Sequence, residues 1–173
     1  MARSGPFAAS RSLRSHLRLC NSLLLATRYS LLDTDFMSVG LLIITHERIG
    51  ADLLNTAIAL LGVRPLNAQV LGVPLDSDPD QAVDAARQRI SRLDLGEGVL
   101  VLTDLFGSTP CNIATRLQSD GRVVVVAGVN LPMLIRVLNY PRLSLPELVQ
   151  KAISGGSDGV LLCRSNFEEH HGA

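Results

Sequence analysis

The chain has no tryptophan, and four phenylalanines and two tyrosines leave its aromatic content at 3%. Surfaces that stack nucleic-acid bases or sugar rings are therefore poorly provided for. It has no charge surplus either, because sixteen Lys and Arg balance sixteen Asp and Glu. That argues against a general nucleic-acid or anionic-membrane binder, which normally shows a basic surplus. Its three cysteines, Cys20, Cys111 and Cys163, lie far apart and form neither a CxxC pair nor a disulfide framework. Such sparse thiols fit a reducing compartment. No apolar run approaches the roughly 20 residues that a bilayer crossing requires. What is present is 173 residues, 47% hydrophobic and 18% charged. The expectation is one cytoplasmic domain with a sizeable core.

Residues 1–36 are a different kind of sequence, rich in Arg, Ser and Leu, with no acidic residue before Asp33. The bias fits a transit peptide. The preferred reading is a leader that is disordered or lies upstream of a functional start at Met37, one residue before the first strand. His16 and Cys20 fall here and receive no role.

From Ser38 the pattern is regular. Val39 to Thr45 is a continuous apolar run of the kind shown by a strand covered on both faces. Leu53, Leu54, Ala57, Ile58, Leu60 and Leu61 recur at helical spacing, with Gly62 as the stop. Ala68 to Val73 reads as a second strand. Asp78-Pro79-Asp80-Gln81 reads as an N-cap, a first-turn proline and a capping box. Gly98 to Thr103 and Val123 to Ala127 read as the third and fourth strands, with a helix opening at Thr109-Pro110 between them. Another helix follows Asn130, and Ser144-Leu145-Pro146-Glu147 announces a last one, ended by Gly155-Gly156. Gly159 to Cys163 reads as a fifth strand, and its short glycine-rich lead-in leaves open an antiparallel pairing on another subunit. Strands alternating with helices make the fold class α/β, a doubly wound and mostly parallel sheet.

In such sheets ligands bind beyond the carboxyl ends of the strands, where the strand order reverses. The first strand runs out in Thr45-His46-Glu47-Arg48 and the third in Asp104-Leu105-Phe106-Gly107-Ser108-Thr109-Pro110. An order beginning 2-1-3 makes these two ends neighbours, so that His46 faces Asp104. A carboxylate on one ring nitrogen fixes the tautomer and leaves the other nitrogen a better base or nucleophile. Gly107 and Ser108 let the backbone approach a ligand, and the helix opening at Thr109 offers free N–H groups to an anion. Taken singly, His46 could be a satisfied core histidine, Asp104 a turn residue and Thr109 an N-cap. Together they suit transient phosphorylation of a histidine. No metal ligand set and no cofactor motif is present.

These residues carry a resemblance. Leu41 to Gly50 (LLIITHERIG), Leu100 to Ala114 (LVLTDLFGSTPCNIA) and Val125 to Leu134 (VVAGVNLPML) resemble the mannose-type EIIA domain of the bacterial phosphoenolpyruvate-dependent sugar phosphotransferase system. The match runs from Met37 to about Cys163, leaving 164–173 as a tail. The resemblance implies a flavodoxin-like order, 2-1-3-4, with an antiparallel fifth strand, Val160 to Cys163, exchanged in a homodimer. It implies that His46 accepts a phosphoryl group from the phosphocarrier protein HPr. It also implies that Asp104 hydrogen-bonds that histidine, while Thr109 lies near the phosphoryl group and Gly107 and Ser108 form the stabilising loop. The expected protein is a phosphotransferase-system component of the mannose/fructose family. It would pass phosphate to a separate EIIB in sugar uptake, with at most indirect membrane association, or use it as a regulatory signal.

Two positions depart from the family pattern. Glu47 stands where glycine often follows the histidine, and Ser108 replaces the second glycine of a pair. Glu47 adds negative charge beside a phosphohistidine. No EIIB domain follows within these residues, which is why a separate one is expected. The alternatives are a regulatory binding domain outside transport, or the phosphotransfer subunit of a dihydroxyacetone kinase. A response-regulator receiver would need acids after the first strand and a late lysine, whereas the only lysine is Lys151. A flavodoxin would need a phosphate loop there, and a nucleotide enzyme GxxxxGK[ST] or GxGxxG; none occurs. Arg48 and Arg136 are candidates for docking a phosphocarrier, Asn130 for a helix cap, and Cys111 and Cys163 for small buried hydrophobes. His170-His171 is read as a solvated tail.

Overall fold

The computed structural model describes residues 38–163 except 63, 65, 119 and 120. The leader and the His170-His171 tail lie outside the described residues.

Four strands form one parallel sheet in the order β2-β1-β3-β4: β1 Gly40–His46, β2 Ala68–Val73, β3 Val99–Thr103 and β4 Val123–Ala127. Helices α1 Ile49–Leu61, α2 Pro79–Leu93, α3 Thr109–Thr115, α4 Leu131–Leu138 and α5 Leu145–Asp158 connect and follow them. The two-residue alternation of side chains sorts the strands onto two cores. Leu41, Ile43, Leu100 and Leu102 pack with α1, α4 and α5 through Leu54, Ala57, Leu134, Val137 and Leu148. Leu42, Ile44, Val99 and Val101 face the other way, onto α2 and α3 through Val83, Ala86, Leu93, Ile113 and Ala114. The two central strands, buried on both sides, are therefore apolar throughout, as a parallel sheet requires.

Asp78 caps α2 by accepting from the Asp80 N–H at 2.9 Å, but Gln81 donates to the Asp78 side chain rather than closing a capping box. The Ser144 box does form, with the Ser144 N–H donating to Glu147 Oε2 at 3.0 Å. Asn130 caps α4 through the Met133 N–H and donates to the Gly156 carbonyl on α5 at 3.0 Å.

Three expectations need correction. Gly155-Gly156 does not end the last helix, which runs on to Asp158. A Cβ on Gly155 would lie 2.7 Å from Arg136 Cβ, so the pair serves the close crossing of α4 and α5. Val160 to Cys163 pairs with no strand of the described single chain, its expected partner being a second copy. Val160, Leu161 and Leu162 are exposed there, and Cys163 is an exposed rather than a buried thiol among the described residues; Cys111 is buried as expected. Finally, Ser108 and not Thr109 is the N-cap of α3, and Thr109 is its first residue.

Candidate functional site

Residues Ile44 and Thr103 are partners in the parallel register of β1 and β3, which places His46 and Asp104 together at the carboxyl ends of the two central strands. The His46 N–H, two residues beyond the last β1–β3 pair, donates to Asp104 Oδ2 at 2.9 Å. His46 Nδ1 meets the same oxygen at 2.9 Å. Asp104 Oδ1 accepts from the Leu105 N–H at 2.9 Å. The Asp104 side chain is 12% exposed and that of His46 26%, so the carboxylate is enclosed while the ring keeps one edge in solvent. Burial alone would raise the Asp104 pKa. The His46 N–H, the His46 ring and its charge, and the Leu105 N–H outweigh it and hold the carboxyl below its ordinary range. An ionised Asp104 accepts from Nδ1–H, so the Nε2 lone pair is the one left for chemistry.

The turn after His46 is strained. Glu47 has φ 44°, the left-handed region that glycine occupies most easily. Its N–H continues the β1–β2 pairing to the Val73 carbonyl at 3.1 Å. Its Oε1 accepts from the Leu75 N–H at 3.2 Å. A glutamate thus occupies a conformation that glycine would adopt more easily. The helix α1 that follows lacks a side-chain cap from Arg48, but Thr45 Oγ1 accepts from the Gly50 N–H at 2.8 Å. A Cβ at Gly50 would lie 2.9 Å from that oxygen, so Thr45 and Gly50 fit each other. Sequence reasoning missed both Thr45 and the Glu47 conformation. The only signal for the first is a threonine five residues before a glycine.

The loop after Asp104 closes on itself, with Ser108 Oγ donating to the Leu105 carbonyl at 2.7 Å and Gly107 at φ 78°. Ser108 and Thr109 therefore sit on the rim of the site, followed by a short helix whose first N–H groups have no intrahelical acceptors. The rim itself is apolar: Leu75 and Phe106 are each 85% exposed, and Leu105 is also exposed. Thr103 Oγ1, on the same sheet face as Ile44 and fully buried, has no hydrogen-bond partner among the described residues. Of the docking candidates, Arg48 reaches Asp52 at 3.6 Å and is otherwise in solvent, whereas Arg136 pairs with Asp158 at 3.1 Å, tying α4 to α5.

Elsewhere, a groove of about 550 Å³ bordered by Arg87, Ser91, Asp94 and Arg116 lies beyond the amino ends of β3 and β4. Arg87 and Arg116 there are paired with Asp84 and Asp80. Among the described residues no group of three potential metal ligands occurs, and no helix is long and apolar enough to cross a membrane.

Residues 40–153 match the family described as PTS system fructose IIA component, EIIA-man. The chain is 34% identical over 129 residues to the PTS system mannose-specific EIIAB component of Escherichia coli, covering 72% of this chain and 39% of that protein. It thus spans well under half the length of that relative. It is 36% identical over 73 residues to the fructose-specific EIIA component of Bacillus subtilis, across 41% of this chain and 50% of the relative. Among solved structures, the mannose/sorbose specific IIA subunit from Enterococcus faecalis superposes with a TM-score of 0.65 at 26% identity, covering 75% of this chain and 97% of that one.

Proposed function

The chain belongs to the mannose/fructose EIIA family of the phosphotransferase system, and from that premise we propose that it is a phosphohistidine carrier, phosphorylated on His46 by phospho-HPr. The observation that carries the reading is the double contact of His46 with Asp104 Oδ2, which leaves Nε2 as the free nucleophile. In the transfer, Nε2 attacks phosphorus in line with the phosphorus–nitrogen bond of the donor histidine. That bond breaks and its electron pair returns to the donor nitrogen as the new Nε2–phosphorus bond forms. The Nδ1 proton stays on the ring, held against Asp104. Such transfer asks the protein for positioning and charge stabilisation rather than covalent work. Thr109, with the backbone of Gly107 and Ser108, would supply donors to the phosphoryl oxygens. The apolar rim of Leu75, Leu105 and Phe106 would meet the donor protein, and a separate EIIB would take the phosphoryl group onward in the cytoplasm.

A homodimer belongs to the same reading. The outer edge of β4 has no neighbouring strand in the described chain, and the exposed Val160-Leu161-Leu162 segment has the composition of a strand. An edge and an unpaired apolar segment are each a template for the other, and exchange between two copies would satisfy both.

The test is incorporation of label from phosphoenolpyruvate, with enzyme I and HPr present, into the wild type and His46→Ala. Acid-labile, base-stable label on the wild type alone is expected. Equal label on both proteins would remove His46 from the role, and labelled HPr beside two unlabelled proteins would leave a binding module without the chemistry. Adding candidate EIIB proteins to the labelled carrier then separates transport from regulation.

A further inference from the structure

We propose that Glu47 is a positioning residue, whose carboxylate latches the turn carrying His46 to the loop carrying Leu75; the inference rests on the phosphotransfer reading above. Three contacts hold Glu47. Its N–H donates to the Val73 carbonyl at 3.1 Å. Its Oε1 accepts from the Leu75 N–H at 3.2 Å. Its carbonyl lies against Gly72, where a Cβ would come within 2.2 Å of that oxygen. Non-glycine residues in the left-handed region persist only where their surroundings over-determine them, and these three contacts do so at φ 44°.

The latch has a direction. Leu75 is one of the most exposed apolar residues of the chain, and its loop spans the gap between β2 and α2. The β2 strand pairs with β1 through His46, which is opposite Val73. Two residues beyond Val73, the chain has left the ladder, and among the described contacts of this loop the Glu47 carboxylate is what returns it to the β1 side. The Glu47 side chain therefore ties the backbone at Leu75 to the turn that follows His46. A glycine in place of Glu47 would ease the backbone but leave Leu75 unanchored. Glu47 thus exchanges local strain for a fixed rim on one side of the nucleophile.

Two variants separate the latch from the charge. Glu47→Gln keeps an acceptor of the same reach and loses the charge. Glu47→Asn tolerates the left-handed backbone but falls a methylene short of Leu75. Amide hydrogen exchange on the full unphosphorylated chain should show the Leu75 N–H equally protected in wild type and Glu47→Gln, and about fivefold to tenfold faster in Glu47→Asn, the equivalent of one lost hydrogen bond. With phospho-HPr as donor, Glu47→Asn should raise KM about fivefold with kcat little changed, and Glu47→Gln should restore the wild-type KM. Leu75 exchange alike in all three proteins would overturn the latch. Faster exchange with unaltered KM would reduce it to a structural contact, and Glu47→Gln behaving like Glu47→Asn would make charge the cause. A wild type that HPr cannot label would instead remove the phosphotransfer reading, a failure the exchange experiment does not share.

Discussion

His46 and Asp104 are joined twice through a single oxygen: the backbone N–H and the Nδ1 of His46 both meet Asp104 Oδ2 at 2.9 Å. The ring is thereby oriented by the same atom that terminates the β1–β3 ladder.

Replacing Asp104 with asparagine should keep the fold but present an amide to the ring. Where its NH2 faces Nδ1, the ring proton moves to Nε2 and the nucleophile is lost. The rate of phosphoryl transfer should fall roughly 100-fold to 10 000-fold, the range seen when an orienting carboxylate beside a histidine becomes an amide. Donor binding should be little affected. Rapid-quench transfer from phospho-HPr, with the affinity measured separately by titration, checks both halves.

Acid should weaken the fold through Asp94 as well as Asp104. Burial pushes the Asp94 pKa up, but Arg122 and the Gly96 and Gly98 N–H groups prevail, and it lies below its ordinary 3.8. A carboxylate with a depressed folded-state pKa contributes stability that is complete above the unfolded value and is lost as pH falls through the folded one. Asp94→Asn should therefore cost about 1–2 kcal/mol at pH 7, allowing for screening on the exposed Arg122 side. Its penalty should shrink as the pH falls below about 4. Urea unfolding of both proteins at neutral and acid pH measures the difference.

The glycine pair in α5 should respond unequally to alanine. At Gly155 the new Cβ meets Arg136 Cβ at 2.7 Å, next to the backbone of α4. At Gly156 it meets Met133 Cε, the free end of a flexible side chain, at 2.7 Å. Gly155→Ala should lose about 1–3 kcal/mol from overpacking. Gly156→Ala should be nearly neutral, because about 1 kcal/mol of helix propensity offsets the shift of Met133. Thermal unfolding of the two variants checks this, and equal midpoints would show that the crossing of α4 and α5 is loose.

Leu161→Asp should leave the single domain folded, since Leu161 touches none of its core, and should turn a dimer into a monomer. Sedimentation equilibrium of wild type and variant decides it. A wild type that is monomeric at every concentration would dispose of the exchanged strand.

Much of this arrangement is legible in the sequence because its signals are local. Ala68–Val73 and Val123–Ala127 are bounded strands in both the pattern and the structure, and Asp78 and Asn130 cap the helices they precede. The meeting of His46 with Asp104 also follows, once the strand order is taken as 2-1-3, because a parallel register aligns the strand ends. What was not legible depends on contacts between distant segments. Gly155-Gly156 has the composition of a helix stop, and only the approach of Arg136 and Met133 explains why the helix continues. Glu47 looks like an intruder in a glycine position until Leu75 is seen to hold it. Ser108 displaces Thr109 as the cap of α3, yet uses its hydroxyl on the Leu105 carbonyl instead.

The apolar rim has a thermodynamic side. Leu75, Leu105 and Phe106 are exposed beside His46. A partner that covers them removes hydrocarbon from water rather than pairing ions. Its association should then show a negative heat-capacity change, so that the grip at this face shifts with temperature.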